Sequence, residues 1–513
     1  MKRHFPRFFF RSPSKYWFWL LLAFFVKGVI PFVTLFFAHR QDPHLLSMGF
    51  IGDAPSYVDP INNFLATGHY MPDHRMPGYG IVYLLFRSVF SYNTTYNCIV
   101  IIQLFLSAAS VYLMALIARV LLKSRRAFYL TFYLYLICTY SNYYDICLGT
   151  ECMCTAFLLF STWLFLLYMR FRQNSYLFFS GLFLTWTVFL RPAFAPTFFI
   201  FGLILLIYFI KNKIKWFKPA FIFLSAFILI DGAWVIRNQA VHHRIIPLTV
   251  DGVYYPYIDS SYMRPMFEFV ETWGGASDIP DPGSAMSWFG GVLFPGEPTP
   301  KQYDSIPDYI YNSTFNKDSL VKLRQMQHAF MAMQKPAADS IYEKYHHDWN
   351  YVYSVLYTKL KPVSPQADAL QKDIINRYNK YTTSIKKGNP FLYYVKTPIL
   401  LLGKSLYQPG LASIFVKGSR IPKIGKGIVT FNKYLYIFLL IVGLSGLILL
   451  LYKGLRKDYM LLILTLPPAY AMLIHTIVLR MADNRYLMPT WPFVIACAAY
   501  MIIAIYERIK SFR

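Results

Sequence analysis

Two acidic clusters and four arginines carry most of the chemistry this chain can do. The first cluster lies in Gly52-Asp53-Ala54-Pro55-Ser56-Tyr57 and continues through Asp59 to Asp73-His74-Arg75-Met76-Pro77-Gly78-Tyr79. The second is Asp145 with Glu151, and the other arginines are Arg191, Arg237 and Arg485. A carboxylate can take a proton from a hydroxyl nucleophile while arginines hold an anionic leaving group. Each also has a plainer reading. Asp53 suits the N-cap of a helix entering at Pro55, and the arginines suit interfacial anchors whose stems lie along lipid. His74, His242, His243 and the pair His346-His347 lack metal-ligand spacing and read as surface or interfacial residues.

The elements that must position these groups are membrane helices. Of 513 residues, 56% are hydrophobic, 19% aromatic and only 15% charged, against about 45–50% apolar and about 25% charged in soluble domains. The apolar residues form runs such as Tyr16–Phe37 and Tyr434–Tyr452, near the roughly 20 residues a bilayer crossing needs. The net charge of +26 sits in short segments beside the runs, including Lys123–Arg126, Arg170–Arg172, Lys211–Lys218 and Lys453–Lys457. That is the bias of cytoplasmic loops, and it argues against a nucleic-acid partner. The six cysteines lie in or beside apolar runs without paired spacing, so no zinc site or disulfide framework is indicated. The basic N-terminus followed by a long apolar run reads as a retained first span.

In chain order the expectation is an all-α polytopic membrane protein of about ten spans, or up to twelve. The first is about 16–37. A surface helix follows, with Tyr57, Ile61, Phe64 and Leu65 on one face and Gly68 at its end. A short helix at about 79–90 lies in the interface or re-enters. Spans then fall at about 96–122, 127–140, 151–169, 176–190, 195–210 and 221–236. Residues 249–390 break the pattern and read as a mainly helical soluble domain on the outer face, with amphipathic helices near 319–345 and 366–384. Residues 391–416 read as interfacial, before spans at about 434–452, 459–479 and 487–506. The organisation is thus a transmembrane module over 1–248 with an outer loop at 39–78, a soluble domain over 249–390, and an interfacial and transmembrane segment over 391–513. Both termini are expected in the cytoplasm. Charges within spans (Lys27, Arg119, Asp231) fall near expected span ends.

Gly52-Asp53-Ala54-Pro55-Ser56-Tyr57 with Arg75-Met76-Pro77-Gly78-Tyr79 resembles the first outer loop of the GT-C-fold glycosyltransferases that use polyprenyl-phosphate sugars. That family includes protein mannosyltransferases and the aminoarabinose transferases that modify lipid A. Further echoes keep the family's order: Thr150-Glu151, Leu190-Arg191-Pro192, Trp234-Val235-Ile236-Arg237-Asn238 and Arg485-Tyr486-Leu487-Met488-Pro489. The resemblance covers about residues 16–245 and 434–506. Met76 and Gly80 stand where the family's pattern has prolines. The single Asp53 matches the bacterial branch rather than the Asp-Glu pair of the eukaryotic mannosyltransferases.

The resemblance implies a GT-C-like bundle and an inverting transfer of a sugar from a lipid-phosphate donor to an acceptor hydroxyl or phosphate of a cell-envelope glycan, lipid or protein. Asp53 would be the general base. Arg75, Arg191, Arg237 and Arg485 would hold the donor phosphate, and Tyr57, Tyr79 and Tyr486 would line the substrate. Asp145 and Glu151 would orient the acceptor or hold a divalent metal, Mg²⁺ or Mn²⁺, although no cofactor is required. The site would face the extracytoplasmic side of a bacterial inner membrane. The competing readings are a transporter or flippase of lipid-linked sugar intermediates, a transferase of oligosaccharide to protein, and a non-catalytic scaffold.

Overall fold

A computed structural model of the chain describes residues 16–37, 46, 55–68, 70, 75–138, 142, 144–242, 245, 247–248, 262–273, 308–344, 362–406, 422–478, 480 and 484–512. Asp53, Asp73, His74, His243 and the pair His346-His347 lie outside these residues. Helix dominates, and there is no strand among the described residues. Among the described residues, seven helices are long and apolar enough to cross a membrane: Tyr92–Leu121, Glu151–Phe171, Pro192–Asn212, Phe217–Ala240, Thr430–Arg456, Tyr459–Val478 and Met488–Ser511. The protein is therefore a polytopic helical membrane protein.

The other three expected spans are also helical. The first is a helix of 22 residues, Tyr16–Phe37, near the roughly 20 that a crossing needs, and another, Asn174–Leu190, has 17. The helix Arg125–Leu136 has 12 residues, about 18 Å at 1.5 Å per residue, against a hydrocarbon core of about 30 Å. Hydropathy alone overestimates its length because the apolar run continues into Ile137-Cys138 after the helix has ended.

The chain divides into two compact units. The first comprises Met1–Thr249, Gln408–Ala471 and Arg485–Arg513. Its helices are α1 (Tyr16–Phe37), α2 (Pro55–Thr67), α3 (Gly78–Arg87), α4 (Tyr92–Leu121), α5 (Arg125–Leu136), α6 (Glu151–Phe171), α7 (Asn174–Leu190), α8 (Thr197–Asn212) and α9 (Phe217–His242). α2 starts at Pro55 as expected and ends before Gly68, which takes a left-handed φ of +76°. It buries Ser56, Val58, Pro60 and Ile61, whereas Phe64 and Leu65 are exposed. Burial is thus confined to the first two turns of α2, which pack toward α3, and its last turn is exposed.

Without a strong hydrophobic drive between helices in lipid, small residues set the close approaches. Ser161 of α6 and Ser180 of α7 each donate to the other's carbonyl at 2.9 Å. A Cβ at Gly181 would lie 2.1 Å from the Phe223 carbonyl oxygen of α9.

The second unit is Val250–Tyr407 with Met472–Asn484. Its helices are α10 (Met263–Glu271), α11 (Lys317–Lys344), α12 (Pro365–Gly388) and α13 (Thr397–Leu406). α11 and α12 fall where their sequence period places them. Ser364 caps α12 by accepting from the Ala367 amide at 3.1 Å, and Pro365 occupies the first turn. The core joins Phe269, Phe315 and Tyr378, with Gln327 donating to the Tyr378 hydroxyl at 2.6 Å. Residues 392–396 form a π-helical turn leading into α13, and Phe391, Tyr394 and Ile399 are exposed.

Glu271 at the end of α10 gives this unit a pH dependence. Burial raises its pKa from 4.5 to about 7, opposed by Arg480 and Lys386 and reinforced by Glu268. The folded unit thus holds a proton between pH 4.5 and about 7 that the unfolded chain releases, so stability falls as pH rises through that window and stays lowered above it. Glu271→Gln is expected to raise the stability of this unit at pH 8 by on the order of 2 kcal/mol and to leave pH 4 unchanged. Thermal unfolding of the full chain in detergent at both pH values checks this.

The chain then completes the first unit with α14 (Pro422–Arg456), α15 (Leu462–Leu473, continuous with the turn at Tyr459–Leu461) and α16 (Trp491–Ser511). A Cβ at Gly446 of α14 would lie 2.1 Å from the Cys497 carbonyl oxygen of α16, and Tyr436 stacks on Trp491 at 4.9 Å.

Candidate functional site

Of the groups singled out in the sequence, Arg75, Arg191, Glu151, Tyr57, Tyr79 and Tyr486 fall into one cluster in the first unit, and Asp145 into another. One is centred on Arg191, at the end of α7. Pro192 stops that helix and holds the residue before it extended, with φ −146° and ψ 98°. The side chain is 8% exposed. Its Nη2 donates to Glu151 Oε1, and its Nε donates to the Thr150 hydroxyl at 2.9 Å. Thr150 occupies the N-cap position of α6 but makes no capping bond there; its hydroxyl is committed to Arg191. Glu151 opens α6, where the helix dipole favours negative charge. The Arg191 guanidinium also lies 4.9 Å from the Tyr486 ring. Burial works against the charge on Arg191, and the Glu151 carboxylate more than offsets it, raising the pKa. Nη1 is buried with no hydrogen-bond partner among the described residues.

Arg75 and the two remaining tyrosines join this cluster through α2 and α3. Arg75 Nε donates to the Ser56 hydroxyl at 2.8 Å, and its guanidinium lies 4.9 Å from the Tyr57 ring. The Tyr57 and Tyr79 rings meet edge-on at 5.9 Å. Tyr79 is 1% exposed, beside Gly149 and the Glu151 carboxylate. Burial first, then that carboxylate, pushes its pKa well above 10, so it remains a neutral hydroxyl. The approach of α3 depends on two glycines. A Cβ at Gly78 would lie 2.6 Å from the Phe189 carbonyl oxygen, and one at Gly80 would lie 3.3 Å from the Tyr57 oxygen and the Ile61 side chain. Gly80 thus lets α3 close on α2.

The second cluster surrounds Asp145. The residue was expected in an outer loop facing the Asp53 side; instead it is 1% exposed and bonded to Lys27 of α1 at 2.9 Å. Lys27 is 0% exposed, near the middle of α1 rather than its end, and also donates to Asn142 Oδ1. Ser107 of α4 donates to Asp145 at 2.7 Å, while Gln103 donates to the carbonyls of Asp145 and Cys147 at 3.1 and 2.8 Å. Ser107 stands about 21 Å along α4 from its basic end, so this network lies near the middle of that helix. Asn142, Ser107 and Gln103 are partners that residue type and spacing did not single out, whereas Ser56, Thr150 and Lys27 appeared in the sequence without these roles. The lone lysine inside an apolar run was the one available signal.

Arg237 donates to the Tyr70 carbonyl at 2.7 Å and to Asn238 at 2.9 Å, beside Trp234. Arg485 is half-buried in the turn Asn484–Tyr486. No group of three or more metal-ligating side chains occurs among the described residues. Asp145 and Glu151 each hold a cationic side chain of the chain itself.

These features define a class: a polytopic helical membrane protein with two buried ion pairs among its described residues, one flanked by a second arginine and three tyrosines. No family model matches the chain, and no curated protein matches it.

Proposed function

We propose that the protein is a GT-C-type membrane glycosyltransferase, moving a sugar from a polyprenyl-phosphate donor to an acceptor hydroxyl on the extracytoplasmic face of a bacterial inner membrane. The observation that carries this reading is Arg191 Nη1, a buried guanidinium nitrogen without a partner among the described residues, in a cluster that includes Glu151, Tyr57, Tyr79 and Tyr486. An unsatisfied buried donor costs about 1–3 kcal/mol, and a phosphate oxygen satisfies it with a charge-assisted bond.

In this mechanism the acceptor oxygen attacks the anomeric carbon as its proton passes to the Asp53 carboxylate. The bond from that carbon to the phosphate oxygen breaks, and polyprenyl phosphate leaves with the electron pair. Arg75 and Arg191 stabilise the charge that develops on it. Glu151 keeps Arg191 oriented and charged. Neither Asp145 nor Glu151 is assigned a metal, since each is already neutralised within the chain.

The test is release of polyprenyl phosphate by the purified full chain supplied with polyprenyl-phosphate sugars and candidate acceptors. Asp53→Asn is expected to lower the turnover about a hundredfold. Turnover near the wild-type rate in that variant removes Asp53 as the base.

The buried Lys27–Asp145 pair favours a second reading, a transporter or flippase of lipid-linked sugars, because intramembrane ion pairs often mark transport paths. That reading expects proteoliposomes of the wild-type chain to move a labelled lipid-linked sugar between leaflets without cleaving it.

A further inference from the structure

At the opposite end of the same helices, the turns after α4, α6, α8 and α14 are strongly basic. The acids among the described residues of these turns and the α16 tail are Asp458 and Glu507. Asp458 pairs with Lys123 at 2.9 Å, and Glu507 lies 3.7 Å from Arg126. Arg172 and Lys211 are thus left without a carboxylate partner among the described residues. Neither side chain trails freely into solvent. The Arg172 guanidinium lies 4.2 Å from the Tyr208 ring, and the Lys211 ammonium lies 4.7 Å from the Tyr459 ring. Tyr208 is itself fixed, buried and donating to the Met169 carbonyl at 2.8 Å. The two cations therefore stand on a rigid aromatic base formed by the ends of α6 and α8 and the turn before α15.

The surface beside them is apolar and continuous. Phe199, Leu203, Leu206 and Ile210 are exposed along α8 and follow one another at helical spacing, ending next to Lys211. Trp216 and Phe217 are exposed just beyond, with rings in contact at 5.8 Å. Cations in the last turn of a helix complement its dipole. That accounts for one charge at each helix end, but not for two cations held on aromatic rings at the head of an apolar stripe.

We propose that Arg172 and Lys211 bind the phosphodiester of an anionic phospholipid, whose acyl chain lies along the exposed stripe of α8. Charge complementarity selects the headgroup, and the stripe selects a lipid over a soluble phosphate.

The full chain is reconstituted in nanodiscs of mixed phosphatidylglycerol and phosphatidylcholine, transferred to detergent, and the lipids it retains are counted by native mass spectrometry. The wild type is expected to retain phosphatidylglycerol preferentially. K211Q should lower that preference about fivefold, and R172Q/K211Q about twentyfold. K213Q/K215Q, the same charge change on the neighbouring turn, should leave it unchanged. Equal loss in the two double variants would reduce the effect to diffuse surface charge and overturn the proposal. An unchanged preference in K211Q and R172Q/K211Q, or displacement of the lipid by millimolar inorganic phosphate, overturns it as well. Lys211 is an exposed residue, so K211Q keeps the test available if the double variant does not fold.

Discussion

Arg191→Met is expected to destabilise the transmembrane unit by about 3–5 kcal/mol, because it leaves the Glu151 carboxylate buried without its partner. Glu151 is 2% exposed, and the cost of the single change is mainly that of an orphaned charge. The paired variant Glu151→Gln with Arg191→Met removes both charges, so it should recover most of the loss. A thermal or denaturant series on the wild type, both single variants and the pair closes a double-mutant cycle. A coupling below about 0.5 kcal/mol would mean the pair is not formed. Under the proposed mechanism, transfer activity should not return with stability in the paired variant, since it still lacks the guanidinium that meets the phosphate. Separation of the two readouts distinguishes a phosphate ligand from a structural strut.

Lys27→Met should cost a similar amount, about 3–5 kcal/mol. Asp145 would keep the Ser107 hydroxyl at 2.7 Å but lose the ammonium that neutralises it. Pairing the change with Asp145→Asn, which retains an acceptor for Ser107, should restore folding to within about 1 kcal/mol of the wild type. The measurement is the unfolding midpoint in nanodiscs together with the yield of folded chain. Under the glycosyltransferase reading this rescued variant keeps most of its turnover, because Lys27 and Asp145 touch no reacting atom. Under the transport reading the rescued protein folds but no longer moves the lipid-linked sugar. One variant therefore separates the two functions.

What the sequence determined by itself was local. Apolar runs identified a polytopic helical membrane protein, and helical period located α11 at 317–344 and α12 at 365–388 within a few residues of expectation. The basic turns likewise marked where helices end, because hydropathy, capping and charge at turns act over a few residues. Tertiary structure decided the rest. The Lys27–Asp145 pair joins residues 118 positions apart, and the Arg191–Glu151 pair joins residues 40 apart. No periodicity encodes such pairings; they depend on which helix faces meet. Asp145 read as a loop acid because its segment is polar, yet a lysine and two polar side chains wait for it inside the bundle. The first loop's Arg75 and Tyr79 were legible from residue type and order. Their approach to Arg191 was not, because it rests on Gly78 and Gly80 letting α3 close against its neighbours. Burying a charge in lipid is too costly without a partner, so the packed bundle, and not any one stretch of chain, determines which charges can be buried.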